Sequence, residues 1–124
     1  YDDRFQKPNP FSPDIVVGID ETLDKKLACT QALESQFYEG GCCLGVTELP
    51  GTPDARRERE QLVRDNFQKR FTGTADRFRE ALAKRYGAKG AAIEAAEAFE
   101  ISEYGRQPTE EDVRKLFPFF PAAP

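Results

Sequence analysis

The chain has few groups that could do chemistry. It contains no histidine, so serine–histidine and cysteine–histidine nucleophiles are impossible, as is a histidine-ligated metal. Carboxylates are plentiful, but no spacing demands that two of them share one cleft, as general acid–base work requires. Asp2-Asp3 reads as a solvated pair, with metal binding as the alternative. The three cysteines, Cys29, Cys42 and Cys43, lack the spacing of a zinc site and read as free thiols in a reducing cytoplasm. The stretch GGCCLG (40–45) has neither the lysine nor the strand-to-helix setting of a phosphate loop. Two places stand out. Ser35-Gln36 lies in KLACTQALESQFYEGG (26–41), beside two aromatics and ahead of a double glycine. Glu97 lies in AEAF (96–99), where a carboxylate buried among small and apolar residues needs a partner.

The elements that must position these residues fit one domain over 1–124, long enough for a modest core. The chain begins at Tyr1 and has no methionine, so it reads as a fragment of a longer protein. No basic start with an apolar run marks a signal peptide, and no apolar stretch reaches the roughly 20 residues of a membrane helix. The 18 basic and 22 acidic residues are mixed along the chain, for a net charge of −4. That balance argues against nucleic acid as a partner.

Residues 1–13 hold three prolines and no period, so they read as a loop. Ile15, Val16, Val17 and Ile19 form a continuous apolar run, as expected of a strand at about 14–19 buried on both faces of a parallel sheet. No second convincing strand follows, so its neighbours are expected upstream of Tyr1. Asp20 is placed to cap a helix over about 21–38, whose stripe is Leu23, Leu27, Thr30, Leu33 and Phe37. Thr52-Pro53 starts a long helix, about 53–86. Its stripe runs Val63, Phe67, Phe71, Ala75, Phe78, Leu82, Tyr86, with a kink expected near Gly73. The aromatics of that stripe read as core, and the run Arg56, Arg57, Arg59 reads as a salt-bridged, solvated face. A short helix is expected at about 90–96, and EAFEISEYG (97–105) is ambiguous between strand and turn. Thr109 with the acids that follow opens a helix at about 110–117.

Taken together, RFQKPNPFSPDIVVGIDETLDKKL (4–27), SQFYE (35–39) and AEAFEISEYGRQPTEEDVRKLFPFF (96–120) resemble the C-terminal part of the LmbE-like, or PIG-L, de-N-acetylase family. The resemblance covers nearly the whole chain and is weakest over 40–52. It implies a Rossmann-like α/β parent fold and a zinc-dependent hydrolase that removes N-acetyl groups from N-acetylated amino sugars or related conjugates. Zinc there polarises the amide carbonyl and activates a bound water. The family's ligands come from an early His-Pro-Asp-Asp-type motif and a later histidine, none of which is in this chain. The resemblance therefore implies a portion with no catalytic residues and no metal of its own, which supplies part of the substrate-cleft wall.

Many relatives end the first helix in His-x-Ser-Gln. Here Ser35 and Gln36 match, and Leu33 stands at the histidine position. The resemblance makes Ser35 and Gln36 substrate-binding positions; capping of the helix end is the alternative. It gives Glu97 either a substrate's hydroxyls or a basic side chain of the fold as partner. Arg4 and Tyr104 are further substrate-binding positions of the same kind. The rival reading is a non-catalytic helical module that binds another protein.

Overall fold

The computed structural model describes residues 6–38 and 50–121. Their elements are mostly helical, built round one small sheet: β1 (Ile15–Gly18), α1 (Leu23–Gln31), α2 (Glu34–Phe37), α3 (Pro53–Arg77), α4 (Arg79–Tyr86), β2 (Ala96–Phe99) and α5 (Glu110–Leu116). Turns of 3-10 helix precede α1 (Asp20–Thr22) and follow α4 (Gly87–Ala92).

The parallel strand expected at 14–19 is instead antiparallel. β1 pairs with β2, Ile15 opposite Phe99 and Gly18 opposite Ala96. The apolar run did report burial on both faces. One face packs Ile15 and Val17 with Leu27, Phe71, Val113 and Phe120; the other packs Val16 with Ala75, Leu82, Ala96 and Ala98. Burial on both faces follows from helices covering the sheet, and it does not depend on strand direction. The helix expected at 90–96 is corrected too. The chain leaves 3-10 geometry after Ala92, and Ala96 opens β2. Alanine favours helix, but Ala96 and Ala98 are fully buried in the sheet against Val16, Ala75 and Leu82, so packing overrides propensity.

Two aspartates flanking β1 hold β2 at both ends. Asp20 Oδ1 accepts the N–H groups of Glu94 (3.0 Å) and Ala95 (2.8 Å). Asp14 Oδ2 accepts the Ile101 N–H at 2.7 Å. Asp20 therefore does not cap α1, as its position had suggested; its carboxylate is spent on the second strand. On β1, the Gly18 N–H donates to the Tyr86 hydroxyl oxygen at 3.1 Å.

The expected helix 21–38 is broken. α1 ends at Gln31, Leu33 takes φ −97° and ψ 58°, and one further turn, α2, follows. Leu33 consequently leaves the apolar stripe and is 52% exposed, whereas Leu27 is buried. The long helix starts as expected, with the Ala55 N–H donating to Thr52 Oγ1 at 3.2 Å and Pro53 in the first turn. It continues through Gly73 and breaks later, at Phe78 (φ −115°, ψ 32°). There the Phe78 ring turns to Phe11, centroids 6.0 Å apart, with the Arg77 guanidinium 4.7 Å above it. The stripe still supplies core: Val63, Phe71, Ala75 and Leu82 are fully buried, with Phe67 and Phe78 packed beside them. Gly87, at φ 60°, ends α4. α5 begins with a reciprocal cap: Thr109 Oγ1 accepts the Asp112 N–H, and Asp112 Oδ2 accepts the Thr109 N–H at 2.8 Å.

Candidate functional site

Glu97 is the sequence-derived position with the most developed setting. β2 directs it to the same side as its partner Val17, opposite to buried Ala96 and Ala98. On that side Lys26 of α1 reaches it, Nζ 2.6 Å from Oε1, with the two side chains 34% and 16% exposed. The Lys26 ammonium also lies 5.2 Å from the centroid of Phe71, so the cation is placed by an aromatic face as well as by the carboxylate. Of the two partners open to Glu97, the structure supplies the basic side chain. Sequence reasoning anticipated such a partner without identifying Lys26. Nothing local signals it, because α1 and β2 lie far apart in sequence and meet only in the folded sheet.

Glu97 lines the wall of a groove of about 650 Å³. Val17 of the first strand, Ile19 just after it, Tyr86, Ile93 and Phe99 give the groove an apolar lining, to which Phe117 and Phe119 add. Asp20, Glu21 and Lys89 add charges. The volume and the mixture of apolar walls with a few charged groups fall in the range of small-molecule sites. Burial raises the pKa of the Tyr86 phenol, so it stays protonated and neutral at physiological pH. Such a groove can hold an apolar or ring-shaped ligand and hydrogen-bond its polar edge through Glu97. Among the described residues it offers no nucleophile–base pair.

The other substrate-binding positions are not brought to this groove. Ser35 and Gln36 are exposed on the single turn α2. Among the described residues neither side chain makes a hydrogen bond; the Gln36 backbone N–H donates to the Leu33 carbonyl at 3.0 Å. That end of the molecule is fastened instead by arginines of α3. Arg56 pairs with Glu34 (2.7 Å) and Glu60 (3.1 Å), and Arg59 Nη1 donates to the Tyr38 carbonyl at 2.7 Å. Tyr104 is 90% exposed on the loop after β2, away from the groove lining. Arg4 lies outside the described residues, as do Asp2-Asp3, Cys42 and Cys43.

The residues present do not fit a zinc site. The chain has no histidine, and among the described residues no three Cys, Asp or Glu side chains gather. Cys29 is an exposed free thiol. Among the described residues no helix is long and apolar enough to cross a membrane. No protein-family model, curated protein or solved structure matches this chain.

Proposed function

We propose that this chain is the C-terminal part of a zinc-dependent hydrolase of the LmbE-like, PIG-L type, acting on N-acetylated amino sugars or related conjugates. Its metal ligands would come from residues outside this sequence. The observation that carries the reading is Glu97: a half-buried carboxylate in the AEAF motif, steadied by Lys26, lies on the wall of an apolar groove of about 650 Å³. A carboxylate so held is oriented before a ligand arrives, and it still has an oxygen to accept a hydrogen bond from a hydroxyl. The β1–β2 pair would then be one edge of a larger Rossmann-like α/β sheet. The exposed thiol of Cys29 fits a reducing, cytoplasmic setting.

The test begins with the coding region immediately upstream of Tyr1. An in-frame His-Pro-Asp-Asp-like segment, with a further histidine before this chain, is the expected result. The full-length protein should then release acetate from an N-acetylglucosamine conjugate. Replacing Glu97 by Gln should raise KM about tenfold, the scale of one hydrogen bond to a charged group. A stop codon followed by a nearby start codon, or a full-length protein inert toward such amides, overturns the reading.

A second reading, a non-catalytic protein-binding module, is favoured by one observation. Leu116, at the end of α5, and Phe119, just after it, are 69% and 61% exposed. It predicts that the isolated 124-residue chain melts cooperatively without light scattering, whereas a hydrolase portion with an unfilled sheet edge should scatter on heating.

A further inference from the structure

A second hollow, of about 460 Å³, opens between α4 and α5 beside the start of β1. Its floor is apolar, from Pro13, Val16 and Ala81, and its rim carries three cations, Lys84, Arg85 and Arg114. Both guanidiniums are fixed from behind. Arg85 is only 18% exposed and lies 4.9 Å from the Phe120 ring centroid; Arg114 Nη1 donates to the Pro121 carbonyl at 3.0 Å. Two carboxylates also line the hollow. Asp14 is occupied by the Ile101 N–H. Glu110 serves as shared counter-ion: Arg85 holds both its oxygens, and Arg114 Nη2 lies 3.5 Å from Oε1. Hydrogen bonding to Arg85 lowers the Glu110 pKa, so it is ionised there.

Three like charges converging on one hollow repel, and the two carboxylates, Asp14 and Glu110, offset only part of that, leaving a net positive charge. Glu110 is 58% exposed on the first turn of its helix, so releasing it exchanges its arginine contacts for water. We propose that this hollow binds a small anion of the phosphate class, with Glu110 as an internal latch that occupies the site until the anion displaces it. The charge of the ligand follows from the latch. A free monocarboxylate brings the same charge as Glu110 without its tether and loses to it. A phosphate carries about 1.5 to 2 negative charges at neutral pH, more than a monocarboxylate, and enough oxygens to engage both guanidinium forks and Lys84 together.

The probe is inorganic phosphate, titrated into the isotope-labelled full chain at constant ionic strength while amide shifts are followed. The expected result is saturable shifts confined to residues near 84, 85, 110 and 114, with acetate producing none. Glu110→Gln removes the latch and should tighten phosphate binding roughly threefold or more, the scale of losing one exposed charged competitor. Lys84→Gln, at an exposed position, should weaken it by a similar factor. Phenyl phosphate binding more tightly than phosphate would assign the hollow to phosphate esters seated on the apolar floor; equal binding would assign it to the free ion. Shifts that acetate reproduces, no saturation in either the native chain or the Glu110→Gln variant, or a variant that binds no tighter than the native chain would each overturn the proposal.

Discussion

At the scale of single residues, the charged groups that matter are those whose partners lie far along the chain. Glu97 could be singled out from sequence, because a carboxylate within AEAF raises the question of how it is satisfied. Lys26, which answers it at 2.6 Å, could not, since nothing in the sequence separates it from its neighbour Lys25 or ties either to a residue about 70 positions on. Replacing Lys26 by Ala should leave the Glu97 carboxylate half-buried and unpaired, at a cost of about 1–2 kcal/mol. Urea denaturation would show it, and a Lys26→Ala, Glu97→Gln double variant should recover part of the loss. Asp112 gives a pH prediction. Arg106, with the N–H and hydroxyl of Thr109, holds its carboxyl far below the usual carboxylate range. A group depressed in the folded state stabilises it fully above the unfolded value, near 3.9, and that contribution disappears as pH falls below it toward the folded value. The start of α5 should therefore hold from neutrality down to about pH 5 and weaken below about pH 4. Stability–pH curves of the native chain and an Asp112→Asn variant should differ above that window and converge below it; parallel curves would remove Asp112 from the account.

At the scale of elements, starts were more legible than ends. Thr52-Pro53 and Thr109 open α3 and α5 as their residue types dictate, because a cap is a local hydrogen bond between near neighbours. The breaks at Leu33 and Phe78 were not legible. Gly73, the residue with the lowest helix propensity in the interior of α3, does not end it; the helix continues to Arg77. A Cβ at Gly73 would meet nothing within 4 Å, so Gly73→Ala should stabilise the chain by about 0.5–1 kcal/mol. Gly90 is the reverse case. A Cβ there would lie 2.4 Å from the Leu82 carbonyl oxygen and 2.8 Å from the Ala83 Cα. Those atoms are backbone and cannot step aside, so Gly90→Ala should cost about 3 kcal/mol, at the upper end of overpacking effects. Thermal melts of the two variants should move in opposite directions. β2 was only partly legible: residues 97–99 read as strand or turn and are strand, whereas Ala96 read as the end of a helix. Its alternation of buried Ala96 and Ala98 with half-buried Glu97 and Phe99 is a two-residue period. Four residues of it, following an alanine-rich run, are too few to outweigh helix propensity.

At the scale of the molecule, burial of β1 on both faces could be read from IVVGI, but the direction of its neighbour could not, because pattern reports burial and topology does not enter it. The groove beside Glu97 was equally invisible, since its walls come from β1, the end of α4, β2 and the residues after α5. The pairing of β1 with β2 closes a loop of roughly 80 residues, an entropic cost met only when α3 and α4 already stand in place. Val16→Ala should therefore destabilise by about 2 kcal/mol, appearing mainly as faster unfolding with the folding rate nearly unchanged. A comparable slowing of folding would place the sheet in the folding nucleus. The same separation has a consequence during synthesis. At some 5–20 residues per second, β1 leaves the ribosome several seconds or more before β2 exists to shelter it. For that interval Ile15, Val16 and Val17 form an unpaired apolar strand open to other nascent chains. Asp14 and Asp20 bracket it, and charges in those positions discourage edge-to-edge association. The two aspartates that later fasten the native sheet thus act first as guards of the waiting strand.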